Sequence, residues 1–215
     1  MKPRRPAAAA THHNGPGFVR IISGQWRGRR LPVLNAEGLR PTTDRVKETL
    51  FNWLMQDTAG RTVLDCFSGS GSLALEALSR HANFATLLEL DKTAVRQLQQ
   101  HLQTLQCNNA EVIAGSCLVY LQRTPKKQYD LVFLDPPFRQ NLLLPCAALL
   151  EQHHWLSDDA LIYVECEKEL HVSQLPANWR LYKESVAGQL AYRLYQRQQP
   201  ASATDTQLFT PGSAI

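Results

Sequence analysis

The chain predicts a doubly wound α/β domain, and three observations carry that expectation. From Arg61 onward, short continuous apolar runs alternate with stretches of helical periodicity, the pattern of parallel strands covered on both faces by helices. A glycine-bearing loop joins the first run to the first helix, and two strictly alternating segments close the sequence. With 215 residues, 44% of them hydrophobic and 20% charged, the chain has the length and composition of one well-buried globular domain.

Residues 1–17 are rich in Ala, Pro, Gly and His, and residues 199–215 are small and polar. Both ends are therefore read as disordered tails, leaving a single domain over 18–198, divided into a basic N-terminal extension (18–57) and an α/β core (61–198). In the extension, Val19-Arg20-Ile21-Ile22 is β-like, Ser23-Gly24 can turn, and Arg27-Gly28-Arg29-Arg30-Leu31 returns, which predicts a small hairpin. A helix follows, with Val46, Leu50, Trp53 and Leu54 on one face, Thr43 or Asp44 placed to cap its start and Gly60 beyond its end. In the core the expected strands are 61–66, 85–90, 111–115, 130–135 and 160–165, and the expected helices lie near 72–80, 92–106, 116–123 and 140–152. Ala94, Leu98, Leu102 and Leu105 give the second of these helices its buried stripe. Trp179–Val186 and Leu190–Gln196 alternate around a turn at Ala187-Gly188-Gln189, which predicts an antiparallel pair at the end of the sheet.

Composition excludes several classes. Ala7–Ala10 run into Thr11-His12-His13-Asn14, which is no signal-peptide core, and no apolar run approaches the roughly 18 residues of a membrane helix. The five cysteines (Cys66, Cys107, Cys117, Cys146 and Cys166) are scattered and never form a CxxC pair, so neither a disulfide framework nor a zinc site is expected, and a reducing cytoplasmic setting fits. The pairs His12-His13 and His153-His154 lack carboxylate or cysteine companions, and no metal is expected.

Charge is localised. The first 50 residues hold ten Lys or Arg against three acids, the footprint of a polyanion partner. Arg20, Arg27, Arg29, Arg30, Arg40, Arg45 and Lys47, interleaved with Trp26 and Gly28, are the candidate nucleic-acid contacts.

Two motifs carry chemistry. Val63-Leu64-Asp65-Cys66-Phe67-Ser68-Gly69-Ser70-Gly71 leads from the first core strand into its helix, and the glycines permit close backbone approach to a nucleoside. Glu89 ends the next strand, 20 residues after Gly69, where a carboxylate can accept from both ribose hydroxyls. Gly69-x-Gly71-x-x-Ala74 also satisfies the dinucleotide fingerprint, so a nicotinamide oxidoreductase stays in view. Asp65 weighs against it, because a carboxylate before the glycines attracts an amino-acid-bearing nucleoside and repels a pyrophosphate. Asp135-Pro136-Pro137-Phe138 ends the apolar run Leu131–Leu134. Two prolines remove two N–H donors, leaving carboxylate and carbonyl acceptors for a substrate NH₂ beside a flat ring for stacking.

The Asp-x-Phe-x-Gly-x-Gly loop, the acidic end of the second strand and the Asp-Pro-Pro-aromatic tetrapeptide together resemble the class I S-adenosylmethionine-dependent methyltransferases. More closely, over about residues 18–198, the chain is similar to the bacterial RsmD-type methyltransferases that modify the exocyclic N2 of one guanine in small-subunit ribosomal RNA. The segments that carry this likeness are Arg20–Arg29, Leu39–Phe51 and Val186–Tyr195. The resemblance implies a Rossmann-like fold with a mostly parallel seven-stranded sheet. It implies that Asp65, Phe67, Gly69 and Gly71 hold the methionine part of S-adenosylmethionine, that Glu89 holds the ribose, and that Ser116 and Cys117 meet the adenine edge, with Leu90 and Thr43 also at the cofactor. Ser116 departs from the Asp that many class I enzymes carry there. Asp135, Pro136, Pro137 and Phe138 are implied to hold the target amine and its base. The implied partner is 16S rRNA in an assembling small ribosomal subunit, met by a monomer. DNA adenine N6 as substrate, and a non-catalytic RNA-binding assembly factor, are the alternatives.

Overall fold

Chain order in the computed structural model, which describes residues 17–33, 44–170 and 172–199, runs β1 (Gly17–Arg20), β2 (Arg30–Val33), α1 (Asp44–Trp53), β3 (Thr62–Asp65), α2 (Ser72–Ser79), β4 (Phe84–Glu89), α3 (Lys92–Thr104), β5 (Ala110–Ala114), α4 (Cys117–Leu121), β6 (Tyr129–Leu134), α5 (Leu143–Gln152), β7 (Leu156–Glu167), β8 (Trp179–Ala187) and β9 (Leu190–Arg197). β1 and β2 form a separate antiparallel hairpin, and the other seven strands form one sheet in the order β5-β4-β3-β6-β7-β9-β8. The five strands from β3 to β7 pair in parallel. β9 runs antiparallel between β7 and β8. This is the doubly wound sheet with a closing antiparallel pair that the sequence predicts. The expected tails lie almost wholly outside the described residues, as do Arg40 and Thr43.

Continuous apolar runs make the central strands because both faces are covered. On one face Val63, Leu131, Phe133 and Tyr163 pack with α1 and α2, where the Phe51 and Phe133 rings meet edge to face at 6.2 Å. On the other, Leu64, Val132, Leu134 and Val164 pack with α4 and α5. Each such side chain contributes about 1.5–3 kcal/mol by leaving water. Trp155 and Trp179 are packing residues whose indole N–H groups donate to the Leu121 carbonyl at 2.8 Å and to Glu151 Oε1 at 2.7 Å.

Most boundaries fall within three residues of the sequence expectation, and two differences have an evident cause. β7 starts at Leu156 rather than 160, since Ser157-Asp158-Asp159 reads as a turn yet is absorbed by a register shift between Tyr129 and Leu131 of β6. The first strand ends at Arg20, before Ile21 and Ile22. Ile21 still bonds across the turn, its amide donating to the Arg29 carbonyl at 2.9 Å, but Ile22 leaves the ladder because the amides of Ile22 and Ser23 donate to Glu76 of α2, at 2.7 and 3.0 Å.

Glu76 has no exposed surface, and its remaining partners are Arg80 Nε at 2.8 Å and Lys47 Nζ at 4.0 Å. The hairpin tip is fixed just beyond it. Gln25 N donates to the Ser79 carbonyl at 2.8 Å, Trp26 N donates to Ser79 Oγ at 3.0 Å, and Ser79 Oγ donates to the Ser23 carbonyl at 2.6 Å. Gly24, with φ +80°, lies so close that a Cβ there would fall 1.8 Å from the Ser79 carbonyl oxygen. Lys47 corrects an expectation. Placed among the nucleic-acid contacts by its charge, it is 1% exposed, donates to the Arg20 carbonyl and has its pKa lowered by burial against the pull of Glu76 and Asp44. It serves the hairpin anchor, not the surface.

Candidate active site

β3 and β6 are neighbours whose connections leave in opposite directions, β3 toward β4 and β6 toward β7. Doubly wound sheets bind ligands at such a switch point, outside the carboxyl ends of the strands. The two sequence motifs meet there. Asp65 lies opposite Phe133, so Asp135 stands two residues, or about 6.6 Å, farther along the adjacent strand.

Above β3 the chain turns sharply: Gly71 N donates to the Ser68 carbonyl at 2.6 Å. Gly69 and Gly71 both have positive φ, 51° and 79°. At Gly71 a Cβ would also fall 2.6 Å from Leu98 Cδ2, a side-chain end that can shift, so it is the left-handed φ more than the tightness that favours glycine there. Asp65, 3% exposed, has its pKa raised from 3.8 to about 7, chiefly by burial. The backbone amides of Phe67 and Ala74 and the Ser68 hydroxyl oppose that rise, and the Glu89 charge adds to it. Ala74 lies in the first turn of α2, where the helix dipole also favours an anion.

Glu89 is held by two backbone donors, Gly69 N to Oε2 and Asp91 N to Oε1, both at 2.7 Å. Asp91 in turn caps α3, accepting from Thr93 N and Ala94 N at 2.9 and 2.8 Å. An ionised carboxylate offers about four acceptor sites, so Glu89 can brace the loop and also take ribose hydroxyls. Leu90 follows it, 71% exposed. Phe67 is half-buried beside the loop.

Ser116 is the residue before α4 and its side chain makes no capping bond. The Cys117 side chain turns inward, with Sγ 3.5 Å from Cys146 Sγ, so of this expected pair only Ser116, half-buried, keeps its side chain out of that core contact. Cys66 is 2% exposed, and burial raises its thiol pKa, as suits a packing residue.

After β6, Asp135 and Pro136 are half-buried while Pro137 is exposed, and Phe138 is 43% exposed. The loop is tied down where Arg139 N donates to Glu167 Oε1 at 2.6 Å, and Arg139 and Asn141 adopt left-handed φ values of 58° and 53°. Beneath it lies a cavity bounded by Pro136, Pro137, Leu143, Cys166, Glu167 and Leu170.

Of the basic residues, Arg20, Arg27, Arg29 and Arg30 share the N-terminal hairpin and Arg45 lies at the start of α1. Arg29 donates to the carbonyl of Thr104, the last residue of α3, at 3.2 Å, and Arg27 lies in the tip that sits on the end of α2. Both helices start at the carboxyl edge of the sheet, so this end is about 20 Å away along α3. Arg20 instead pairs with Asp44 at the start of α1, at 4.0 Å. Arg45 follows Asp44, exposed, and Arg30 is exposed on the hairpin opposite Arg20.

Residues 19–196 match the family described as Conserved hypothetical protein 95. The chain is 54% identical to the ribosomal RNA small subunit methyltransferase D of Escherichia coli K12 over 189 residues, covering 87% of this chain and 94% of that protein. It is 56% identical to the protein of the same name from Haemophilus influenzae over 187 residues, covering 85% and 96%. The chain belongs to this methyltransferase D family. A solved structure described as the putative methyltransferase yhhF from Escherichia coli superposes with a TM-score of 0.79 at 51% identity, covering 85% of this chain and 99% of that one. Membership in the family sets the two motifs at the switch point in their context.

Sequence reasoning missed Glu76, Tyr163 and Glu165. The two acids left a signal, because a polar group inside an otherwise buried apolar run needs a partner: Glu76 within Leu73–Leu78, and Glu165 closing Leu161-Ile162-Tyr163-Val164.

Proposed function

We propose that the protein transfers the methyl group of S-adenosylmethionine to the exocyclic N2 of one guanine in 16S rRNA of the small ribosomal subunit. The observation that carries this reading is the convergence of Asp65–Gly71, Glu89 and Asp135–Phe138 on the carboxyl ends of adjacent strands, in a chain more than half identical to proteins named for methylating small-subunit ribosomal RNA. The residues present suit the cofactor: a buried acid for its cationic amino-acid end, glycines that let backbone approach, and a braced carboxylate for the ribose. A pyrophosphate would meet Asp65 unfavourably, which weighs against the dinucleotide alternative.

When bound, S-adenosylmethionine supplies a methyl group on a sulfonium, which departs as a neutral thioether. The chain's own part is aim. The guanine N2 lone pair is delocalised into the ring, so the amine must be held with nitrogen facing the methyl. Asp135 and the Pro136 carbonyl accept one N–H each and favour a more pyramidal nitrogen. Such positioning contributes up to roughly 7–11 kcal/mol, and the fixed carboxylate stabilises positive charge developing on nitrogen. The proton leaves nitrogen after transfer, with Asp135 as the adjacent acceptor. Phe138 replaces part of the stacking that the base gives up on entering.

An assembling small subunit is the substrate we favour, since an enzyme of this size has little surface for reading sequence unaided. We read the protein as a cytoplasmic monomer. Among the described residues no helix is long and apolar enough to cross a membrane. Small-subunit RNA from cells lacking the protein should miss a single N2-methylguanine by mass spectrometry of nuclease fragments, and purified protein should restore it on isolated subunits. An intact RNA methylation map together with lost DNA N6-methyladenine would replace this reading with the DNA alternative.

A further inference from the structure

A second carboxylate stands beside Asp135. β6 and β7 pair in parallel with Leu134 opposite Val164, so Asp135 and Glu165 follow at the same level on neighbouring strands, about 4.8 Å apart in the pairing direction. Phe133 and Tyr163 belong to the core beneath α1; strand alternation puts Glu165 on that same face, and Asp135, one residue past the end of β6, is close enough for its charge to act on Tyr163. Glu165 is 7% exposed, accepts from the Tyr163 hydroxyl at 3.0 Å and lies opposite Tyr192 of β9. Tyr163 has no exposed surface. Burial holds its phenol well above the ordinary range, with the Glu165 and Asp135 charges adding to the effect, so it stays a hydroxyl donor that orients Glu165.

Two carboxylates side by side form an acceptor array, and the complementary ligand is a row of N–H donors. Guanine has one, with N1–H next to its N2 amine. Adenine presents a lone pair at N1 next to its N6 amine, and a carboxylate repels it. We propose that Glu165 is a specificity-determining residue that accepts the guanine N1–H while Asp135 holds the N2 amine, with Tyr163 as its positioning residue. This deepens the N2-guanine reading above and rests on it.

The test uses small subunits assembled on RNA carrying either guanine or 2,6-diaminopurine at the target position. Diaminopurine keeps the N2 amine and replaces N1–H with an acceptor. The unaltered enzyme should favour guanine by roughly 10- to 100-fold in kcat/KM, the range of one well-formed base-edge contact. Glu165→Gln, close in shape and able to donate as well as accept, should lose about tenfold on guanine and bring the two bases within a few-fold of each other, with S-adenosylmethionine affinity unchanged. Tyr163→Phe should shift the ratio in the same direction by a smaller factor, and it decides the matter if Glu165→Gln does not fold. A guanine preference left intact in the folded variant, including one in which both rates fall equally, overturns the proposal and leaves the guanine reading standing. Labelling of adenine by the unaltered enzyme, with neither N2 amine accepted, removes the guanine reading itself.

Discussion

Cofactor binding should depend on pH through Asp65, and the size of the effect follows from its burial. The pKa of this carboxyl is raised from 3.8 to about 7 by desolvation, so at pH 5 only about 1% of molecules carry the charge that attracts a cationic amino-acid end, and at pH 8 about 90% do. Occupation by that cation favours the charged form, and the proton must leave. S-adenosylmethionine affinity should therefore fall about fivefold from pH 7 to 6 and about ninefold from pH 6 to 5, roughly 50-fold in all, and level off near pH 8. Stability runs the opposite way. The folded pKa lies above the unfolded one, so the folded state retains a proton that the unfolded chain releases. The contribution of Asp65 is thus full below about pH 4 and is lost as pH rises through about 7, a span worth about 4 kcal/mol. Asp65→Asn should abolish both dependences, binding the cofactor weakly at every pH while resisting thermal unfolding better than the parent at pH 8. Isothermal titration calorimetry at pH 5, 6, 7 and 8, in buffers of different ionisation heat, reads affinity and proton release together. Uniform affinity across that range, with no proton released at pH 6, would refute the assignment of Asp65 to the cofactor amine.

Asp135→Ala and Phe138→Ala should each reduce methyl transfer by at least about 100-fold, the scale of a lost positioning or transition-state contact, while S-adenosylmethionine binding stays within about twofold; near-normal turnover in Asp135→Ala would end its role as amine acceptor. Lys47→Met leaves Glu76 buried without its ammonium partner and should destabilise the fold by about 3–5 kcal/mol, which calorimetry would register as a fall in Tm of roughly 10 °C; a change below about 1 kcal/mol would show that the amides and Arg80 suffice. Reversing Arg27, Arg29 and Arg30 should weaken subunit binding and reduce the slope of log affinity against log salt by about 2–3, leaving cofactor affinity intact. An unchanged slope would move the RNA surface to Arg20 and Arg45, beside the start of α1.

What the sequence disclosed was carried by neighbours in the chain. The glycines at 69 and 71, the acid at 89 and the tetrapeptide at 135–138 each announce themselves within a few residues, and parallel topology then brings them to one edge without further information. Lys47 misled for the converse reason. Its charge sits in a basic segment, yet its environment is decided by Glu76, 29 positions away, and no local pattern records that. The juxtaposition we propose for Asp135 and Glu165 is equally invisible before the β6–β7 register is known.

Those long-range partners also tie the hairpin to the chemistry. Every residue of α2 is buried, and the helix is held at both ends by the groups discussed above. The Asp65 carboxyl accepts from Ala74 in its first turn, and Glu76 with Ser79 receives the hairpin amides one turn later. A close-packed helix of eight residues has no slack to absorb a shift. Displacement of the hairpin tip, whether by mutation at Gly24 or by RNA drawing on Arg27 and Arg29, therefore acts on the same short rod that sets Gly71 against Leu98. The hairpin tip, about 12 Å from the cofactor loop along the eight residues of α2, is in this way built into the support of that loop, and a Gly24→Ala variant should weaken S-adenosylmethionine binding as well as lower Tm, an effect that a surface serving only RNA would not produce.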